Sequence, residues 1–220
     1  MIPTTAQLFD LTHSIAGEYL ASFQYPWEAL AGIGKLIRIL GPTLPEEEFD
    51  HPAEDIWIAK DAEIYETACI KGPCIIGRRS EIRHGAFIRR NVIAGDNCVI
   101  GNATEVKNSI LFDRVQLPHY NYVGDSVLGF RAHMSAGAMI NNVRHDRTLV
   151  VIRDGYEKIP TNRKKVGAII GDEVEIGCNS VLNPGTIIGK GSYVYPLCSV
   201  QGVVPSLFIY KDSGPLFQQD

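Results

Sequence analysis

From Ile58 to Val106 an apolar residue returns at every sixth position: Ile58, Ile64, Ile70, Ile76, Ile82, Ile88, Ala94, Ile100 and Val106. All but Ala94 are β-branched, the side-chain type that favours strands. Four places after each stands a small or branched residue: Ala62, Ala68, Cys74, Ser80, Ala86, Val92, Cys98, Thr104 and Ile110. A period of six fits neither a 3.6-residue helix nor a two-residue strand alternation. It fits short strands joined by tight corners, one corner per hexad, stacked so that successive units share one core.

The pattern resumes at Ile170, Ile176, Leu182, Ile188, Val194 and Val200, with Val174, Ser180, Thr186, Ser192, Cys198 and Val204 in the small slot. Between the blocks the step shortens to five twice, from Val106 to Leu111 and from Val123 to Leu128. Leu111, Leu117 and Val123, then Leu128, Met134 and Ile140, otherwise keep the period, giving twenty-one hexads. Three hexads make one triangular coil, so the chain is expected to form an all-β solenoid of about seven coils over residues 51–205.

Composition bounds the setting. A net charge of -4 argues against a nucleic-acid backbone as partner, and no apolar run approaches membrane-spanning length. The N-terminus has no signal-peptide pattern. Of the five cysteines, Cys74, Cys98 and Cys198 occupy the small inward slot, and no Cys-x-x-Cys pair is present. They read as core thiols in a reducing, cytoplasmic protein with neither disulfides nor a structural zinc.

Residues 1–50 read as helical. Thr4 or Thr5 is placed to cap a helix through Leu8, Phe9, Leu11, Ile15 and Leu20. Pro26 opens a second helix with Trp27, Leu30, Ile33, Leu36 and Ile37 on one face, ended by Gly41-Pro42. The acidic stretch 43–52 reads as a linker, and the helices as a cap on the first coil or as subunit contacts. Residues 141–168 interrupt the repeat with a long charged loop ending in Arg163, Lys164 and Lys165; such loops are functional or disordered. In the tail, 206–220, Leu207, Phe208, Ile209 and Tyr210 are placed to cover the last coil.

Counting coils locates a site. Arg89 and Lys107 lie one 18-residue coil apart, so they share a slot on successive coils, about 4.8 Å apart. The two short steps bring Gly124 and then Asn141 into that slot, with Asn142 beside it. Tyr122 stands just before the same edge, and His119 near the adjoining corner. Stacked cations repel by about 1 kcal/mol even in water, and an anion between them would relieve this.

The segments GNATEVKNS, LPHYNYVGDS, VLGFRAHMSAGAMINN and KKVGAIIGDEVEIGCNSVLNPGTIIGKGSYV resemble the acetyltransferase domain of bifunctional N-acetylglucosamine-1-phosphate uridyltransferase/glucosamine-1-phosphate acetyltransferase. They are still more similar to the β-helix domain of archaeal sugar-1-phosphate nucleotidylyltransferases, over roughly residues 80–205. The resemblance implies a left-handed parallel β-helix, a homotrimer, and an acyltransferase that moves an acetyl group from acetyl-CoA to an amino-sugar 1-phosphate, with no metal. It implies that His119 of the motif His119-x-x-Tyr122-x-Gly124-Asp125 is the general base, acting with Tyr122 and Asn142. The sugar-phosphate ligands it implies are Arg89, Lys107, Tyr122, Asn142 and Lys165, and the coenzyme A contacts are Cys178 and Pro196. Cys178 replaces the family's serine, and helical residues stand where the family carries a nucleotidyltransferase domain, here absent.

Two other readings compete. One is a non-catalytic sugar-phosphate-binding or scaffold subunit partnering a separate nucleotidyltransferase. The other is a γ-type carbonic anhydrase, which needs three histidines, two of them as His-x4-His. Gly124 stands at that spacing from His119, and His84, His133 and His145 do not repair the pattern.

Overall fold

The computed structural model describes residues 1–211 and 217–218. The hexads form the expected parallel β-helix, with three sheets as the faces of a triangular prism. The first face runs from Ile56–Ala59 through Cys74–Ile76, Val92–Ala94 and Ser109–Leu111 to Val203–Val204. The second begins at Glu63–Ile64, and the third at Cys69–Ile70. The sheets hold nine, nine and seven strands, and the first two each include one antiparallel edge strand. The coil count therefore exceeds the expected seven by one partial coil, whose rungs end at Val204 and Tyr210, six residues apart. Of the tail, Phe208–Tyr210 forms that last rung of the second face, and residues 212–216 and 219–220 lie outside the described residues.

The sixth-position residues fill the prism, with Ile76, Ile82, Ile88, Ile100 and Val106 fully buried. The small slot holds hydroxyls as well as methyl groups, and each buried hydroxyl finds a corner carbonyl. Ser80 donates to the Gly95 carbonyl at 2.9 Å, Thr104 to Leu117 at 3.2 Å and Ser180 to Tyr195 at 2.9 Å. These bonds remove the cost of burying an unpaired polar group. Cys74, Cys98 and Cys198 are buried as expected, and burial pushes the Cys74 and Cys98 thiols up to about 12. No disulfide forms among the described residues. Corners turn through left-handed residues such as Asn91, Asn97, Asn108 and Asp125, types whose short polar side chains tolerate that conformation.

The N-terminal segment does not cap the first coil. Its helices are short: Thr5–Leu8, with Thr4 as N-cap and Gln7 closing a capping box, then Gly17–Ala21 and Ile33–Leu40. Pro26 opens a 3-10 stretch, Pro26–Ala31, rather than the helix itself. The segment lies along the first face from end to end. Leu8 accepts from the backbone of Asp172, His13 from Asp113, and Ile33–Leu40 packs on Cys74–Ile76 and Val92–Ala94. The reason is a row of outward residues on that face: Trp57, Ile75, Ile93, Ile110, Val127, Ile169 and Ile187 are all buried. Each such side chain is worth about 1.5–3 kcal/mol when taken out of water. A Cβ on Gly41 would sit 2.4 Å from the Trp57 ring, so glycine is needed where the last helix ends.

Two segments expected to be irregular carry strands. Phe49–Ala53, within the acidic linker, pairs antiparallel with Ile56–Ala59 and closes the first coil. The loop 141–168 contains a hairpin, Val151–Asp154 with Glu157–Pro160, turning at Gly155. Val150 and Ile152 are buried, and the charged tip meets the amino terminus, which pairs with Asp154 and Glu157. No helix among the described residues is long and apolar enough to cross a membrane.

Candidate functional site

Both five-residue steps and the long loop fall at one corner, where the third face turns into the first. Below the first step, Arg89, Arg90 and Asn91 lie between the paired positions Ile88 and Val92; in the next coil only Lys107 and Asn108 lie between Val106 and Ser109. The corner thus loses one residue from one coil to the next, and Arg90 projects beside a recess. This opens a cleft of about 420 Å³ lined by Lys71, Phe87, Arg89, Arg90, Asn91, Lys107 and Asn108.

The register places Lys107 beside Gly124, and Arg89 donates its backbone N–H to Val106, so Arg89, Lys107 and Gly124 share the slot that coil counting gave. The charge balance differs from the expectation. The cations do not face each other unpaired. Arg89 binds Glu105 at 2.8 Å, and Lys107 binds Asp125 at 3.0 Å. The hydrogen bond that Arg89 donates to the Glu105 carboxylate pushes the guanidinium pKa further up. The Lys107–Asp125 pair is the enclosed one, with side chains 18% and 6% exposed, against 47% for Arg89.

Asp125 is the hub that sequence reading named in the motif without giving it a task. Besides Lys107 it accepts from Asn108 at 2.9 Å and from Asn142 at 2.6 Å. Asn142 also donates to the Tyr122 hydroxyl at 3.3 Å, so Tyr122 and Asn142 meet as expected. Burial, followed by the Glu105 charge, pushes the Tyr122 phenol up. Lys165 reaches the same corner by its backbone, bridging to Val143, but its side chain is exposed and joins none of these hydrogen bonds among the described residues. Val166 anchors the loop by donating to the Asn142 carbonyl at 3.1 Å.

His119 occupies the other end of the third face. The pairings Gln116 with His133, His133 with Glu175 and Glu175 with Tyr193 bring His119, Ala136, Cys178 and Pro196 into one column on the edge between the second and third faces. Successive corners there are linked by backbone bonds, Gly137 to His119 at 3.0 Å, Asn179 to Ala136 at 3.0 Å and Leu197 to Cys178 at 2.9 Å. His119 is exposed, with no hydrogen bond to its ring among the described residues. The strand Tyr122–Gly124 separates this edge from the Arg89–Lys107 edge, about 15 Å along the chain from His119 to Gly124. The Tyr122 ring bridges that face, its hydroxyl reaching Asn142 at the cationic corner.

Two of the histidines that failed to complete a metal pattern have partners of their own. His84 meets Thr67 at 3.0 Å and the edge of Tyr65, and His133 pairs with Glu175 at 2.5 Å. Among the described residues no three His, Cys, Asp or Glu side chains gather as a metal site.

A triangular coil of hexads, with a histidine on one edge and a basic cleft on the next, defines a hexapeptide-repeat β-helix protein. Residues 70–187, just over half of the chain, match the family model described as the GMPPB C-terminal domain, and the chain belongs to that family. Its relatives include a bifunctional protein GlmU of Methanococcus maripaludis, 35% identical over 127 residues, covering 57% of this chain and 31% of that protein. A bifunctional sugar-1-phosphate nucleotidylyltransferase/acetyltransferase of Sulfurisphaera tokodaii is 37% identical over 145 residues, covering 58% and 36%. The chain thus spans about a third of the length of these relatives. Among solved structures, the acetyltransferase domain of PglB from Neisseria gonorrhoeae, in complex with acetyl coenzyme A, aligns with a TM-score of 0.36 at 17% identity, covering 81% of this chain and 63% of that one.

Proposed function

We propose that this protein is an acyltransferase that moves the acetyl group of acetyl-CoA to the amine of an amino-sugar 1-phosphate, with His119 as general base. The observation that supports this most is the division of labour across one face. The base and the residues assigned to coenzyme A, Cys178 and Pro196, share one edge, while the cations Arg89 and Lys107 share the other. Tyr122 lies between them, its hydroxyl meeting Asn142 at the cationic edge, and the two position the sugar. The acceptor arrives as an ammonium. The unprotonated imidazole of His119 takes one proton and the freed amine attacks the thioester carbonyl; as the adduct collapses the C–S bond breaks and the second nitrogen proton passes to the departing sulfur, so that coenzyme A leaves as the free thiol. Arg89 and Lys107 hold the phosphate, Arg89 with a fork that can bind two oxygens. Tyr195, Pro196 and Leu197 form an exposed, largely apolar shelf beside Cys178 suited to the pantetheine arm.

Mixing the protein with acetyl-CoA and glucosamine 1-phosphate and following free thiol tests this directly. Release of thiol that depends on the sugar supports the transferase. Binding of hexosamine phosphates without turnover replaces it with the scaffold reading.

Cys178 is exposed, with no activating partner for its thiol among the described residues. Cys178→Ser is therefore expected to keep kcat within about twofold, since a thiol that forms no covalent intermediate is replaceable. Loss of turnover in that variant, measured under the same thiol-release assay, assigns the cysteine a chemical role.

The protein is proposed to be a homotrimer. The N-terminal segment covers the first face, leaving the second and third for neighbours, and Met139 and Val181 are exposed in the outward row of the third. A site closed by a neighbouring prism fits cyclic symmetry. Light scattering is expected to give three times the 24.2 kDa chain mass at micromolar protein; a single chain mass rejects the trimer.

A further inference from the structure

We infer that the acceptor carries a diphosphate, as a nucleoside diphosphate-linked amino sugar does, with its second phosphoryl group held between Lys71 and Arg90. The inference deepens the acceptor-site reading above, on which it rests, by changing the substrate class.

The pairings of Cys69 with Phe87 and Ile70 with Ile88 put Lys71 in the slot below Arg89. Lys71, Arg89 and Lys107 thus form one column that spans two rungs, about 10 Å. Their charges are not equivalent. Arg89 and Lys107 each hold a carboxylate of the chain, Glu105 and Asp125. Lys71 lies over the Phe87 ring at 5.4 Å, and neither it nor Arg90 has a carboxylate within ion-pair distance among the described residues. The positive charge that remains uncompensated therefore sits beside the clamp assigned to a single phosphate, Lys71 one rung below Arg89 and Arg90 next to Arg89 in the same corner.

The cleft points the same way. Its lining joins Lys71, Phe87 and Arg90 to Arg89 and Lys107, and neither Tyr122 nor Asn142 lines it. An amino sugar anchored by one phosphate at Arg89 and Lys107, its amine directed over Tyr122 toward His119, leaves the Lys71–Arg90 part of the cleft unfilled. A second phosphoryl group continues the ligand down the column, and the attached nucleoside meets the Phe87 wall. The volume of about 420 Å³ lies within the range of small-molecule sites. The two unpaired cations supply charge for the second phosphoryl group, beyond what Arg89 and Lys107 offer the first.

Calorimetric titration with inorganic phosphate, pyrophosphate, uridine monophosphate and uridine diphosphate tests this. The diphosphates are expected to bind roughly tenfold or more tighter than their monophosphate counterparts. The double variant Lys71→Met, Arg90→Met removes that gap while leaving phosphate binding within about twofold, and Lys71→Arg with Arg90→Lys restores most of it. Both side chains are on the surface of the cleft, and circular dichroism melts check that the variants fold. Equal affinities in the wild type, or a gap that survives the double variant, overturn the inference. A transfer assay with glucosamine 1-phosphate and uridine diphosphate glucosamine separates the two claims. A diphosphate gap with no acetylation of either amine ends the transferase reading and leaves the diphosphate site. Acetylation of the 1-phosphate alone, without a gap, does the reverse.

Discussion

His119→Ala is expected to lower kcat by about 10²–10⁴-fold, the usual contribution of a general base. KM for the sugar phosphate stays within a few-fold, because the phosphate contacts belong to the opposite edge of the third face. Lys107→Ala gives the reverse pattern, chiefly a raised KM, since a phosphate clamp acts on ground state and transition state alike. Steady-state kinetics on the three proteins decides it. Wild-type kcat in His119→Ala rejects the base assignment.

The outcome depends on a geometry that the sequence shows only in part. Counting residues per coil was enough to stack Arg89, Lys107 and Gly124, because parallel register is fixed by coil length and by the inward face of each hexad. The same counting, continued through Gln116, His133, Glu175 and Tyr193, aligns His119 with Cys178 and Pro196. What counting cannot give is the direction of a long side chain. Lys107 turns to Asp125 and Arg89 to Glu105, so the cations do not stand as a bare pair. One signal for Asp125 was present. A five-residue step at Val123–Leu128 shortens the corner there, and aspartate tolerates the left-handed backbone that the short turn needs, φ 53°. Its three donors, Lys107, Asn108 and Asn142, come from the preceding coil and the start of the long loop, so no local pattern announces them.

The place of the N-terminal segment was readable in another row of the repeat. The residue before each sixth-position residue points outward. On the second face this row is mostly polar, with Glu63, Glu81, Gln116, His133 and Glu175. On the first face it runs Trp57, Ile75, Ile93, Ile110, Val127, Ile169 and Ile187. A face apolar on both sides must be covered on both sides, as in sheets flanked by helices. Helical periodicity in residues 1–40 gave the cover its apolar stripe, but not its destination. The short helices owe their stability to this packing, since pieces of four to eight residues do not hold in water alone.

The same substitution at one repeat slot on two faces should therefore have opposite consequences. Ile110 and Gln116 are six residues apart, each just before an inward leucine. Ile110 is fully buried between its sheet and the N-terminal segment, and Gln116 is exposed on the second face. Ile110→Asp loses the transfer energy of the isoleucine side chain, about 1.5–3 kcal/mol, and also places a carboxyl where no donor waits for it. The total is roughly 4 kcal/mol or more, a large part of the 5–15 kcal/mol that a domain commands. Gln116→Asp changes stability by about 0.5 kcal/mol or less. Burial raises the folded-state pKa of the new carboxyl above its unfolded value, so the penalty in Ile110→Asp is smallest below the unfolded pKa. It grows as pH rises from there to the folded pKa, since only the unfolded chain ionises freely in that window. Urea unfolding at acid and neutral pH measures both claims. Equal midpoints for Ile110→Asp and Gln116→Asp would mean that the N-terminal segment does not cover the first face.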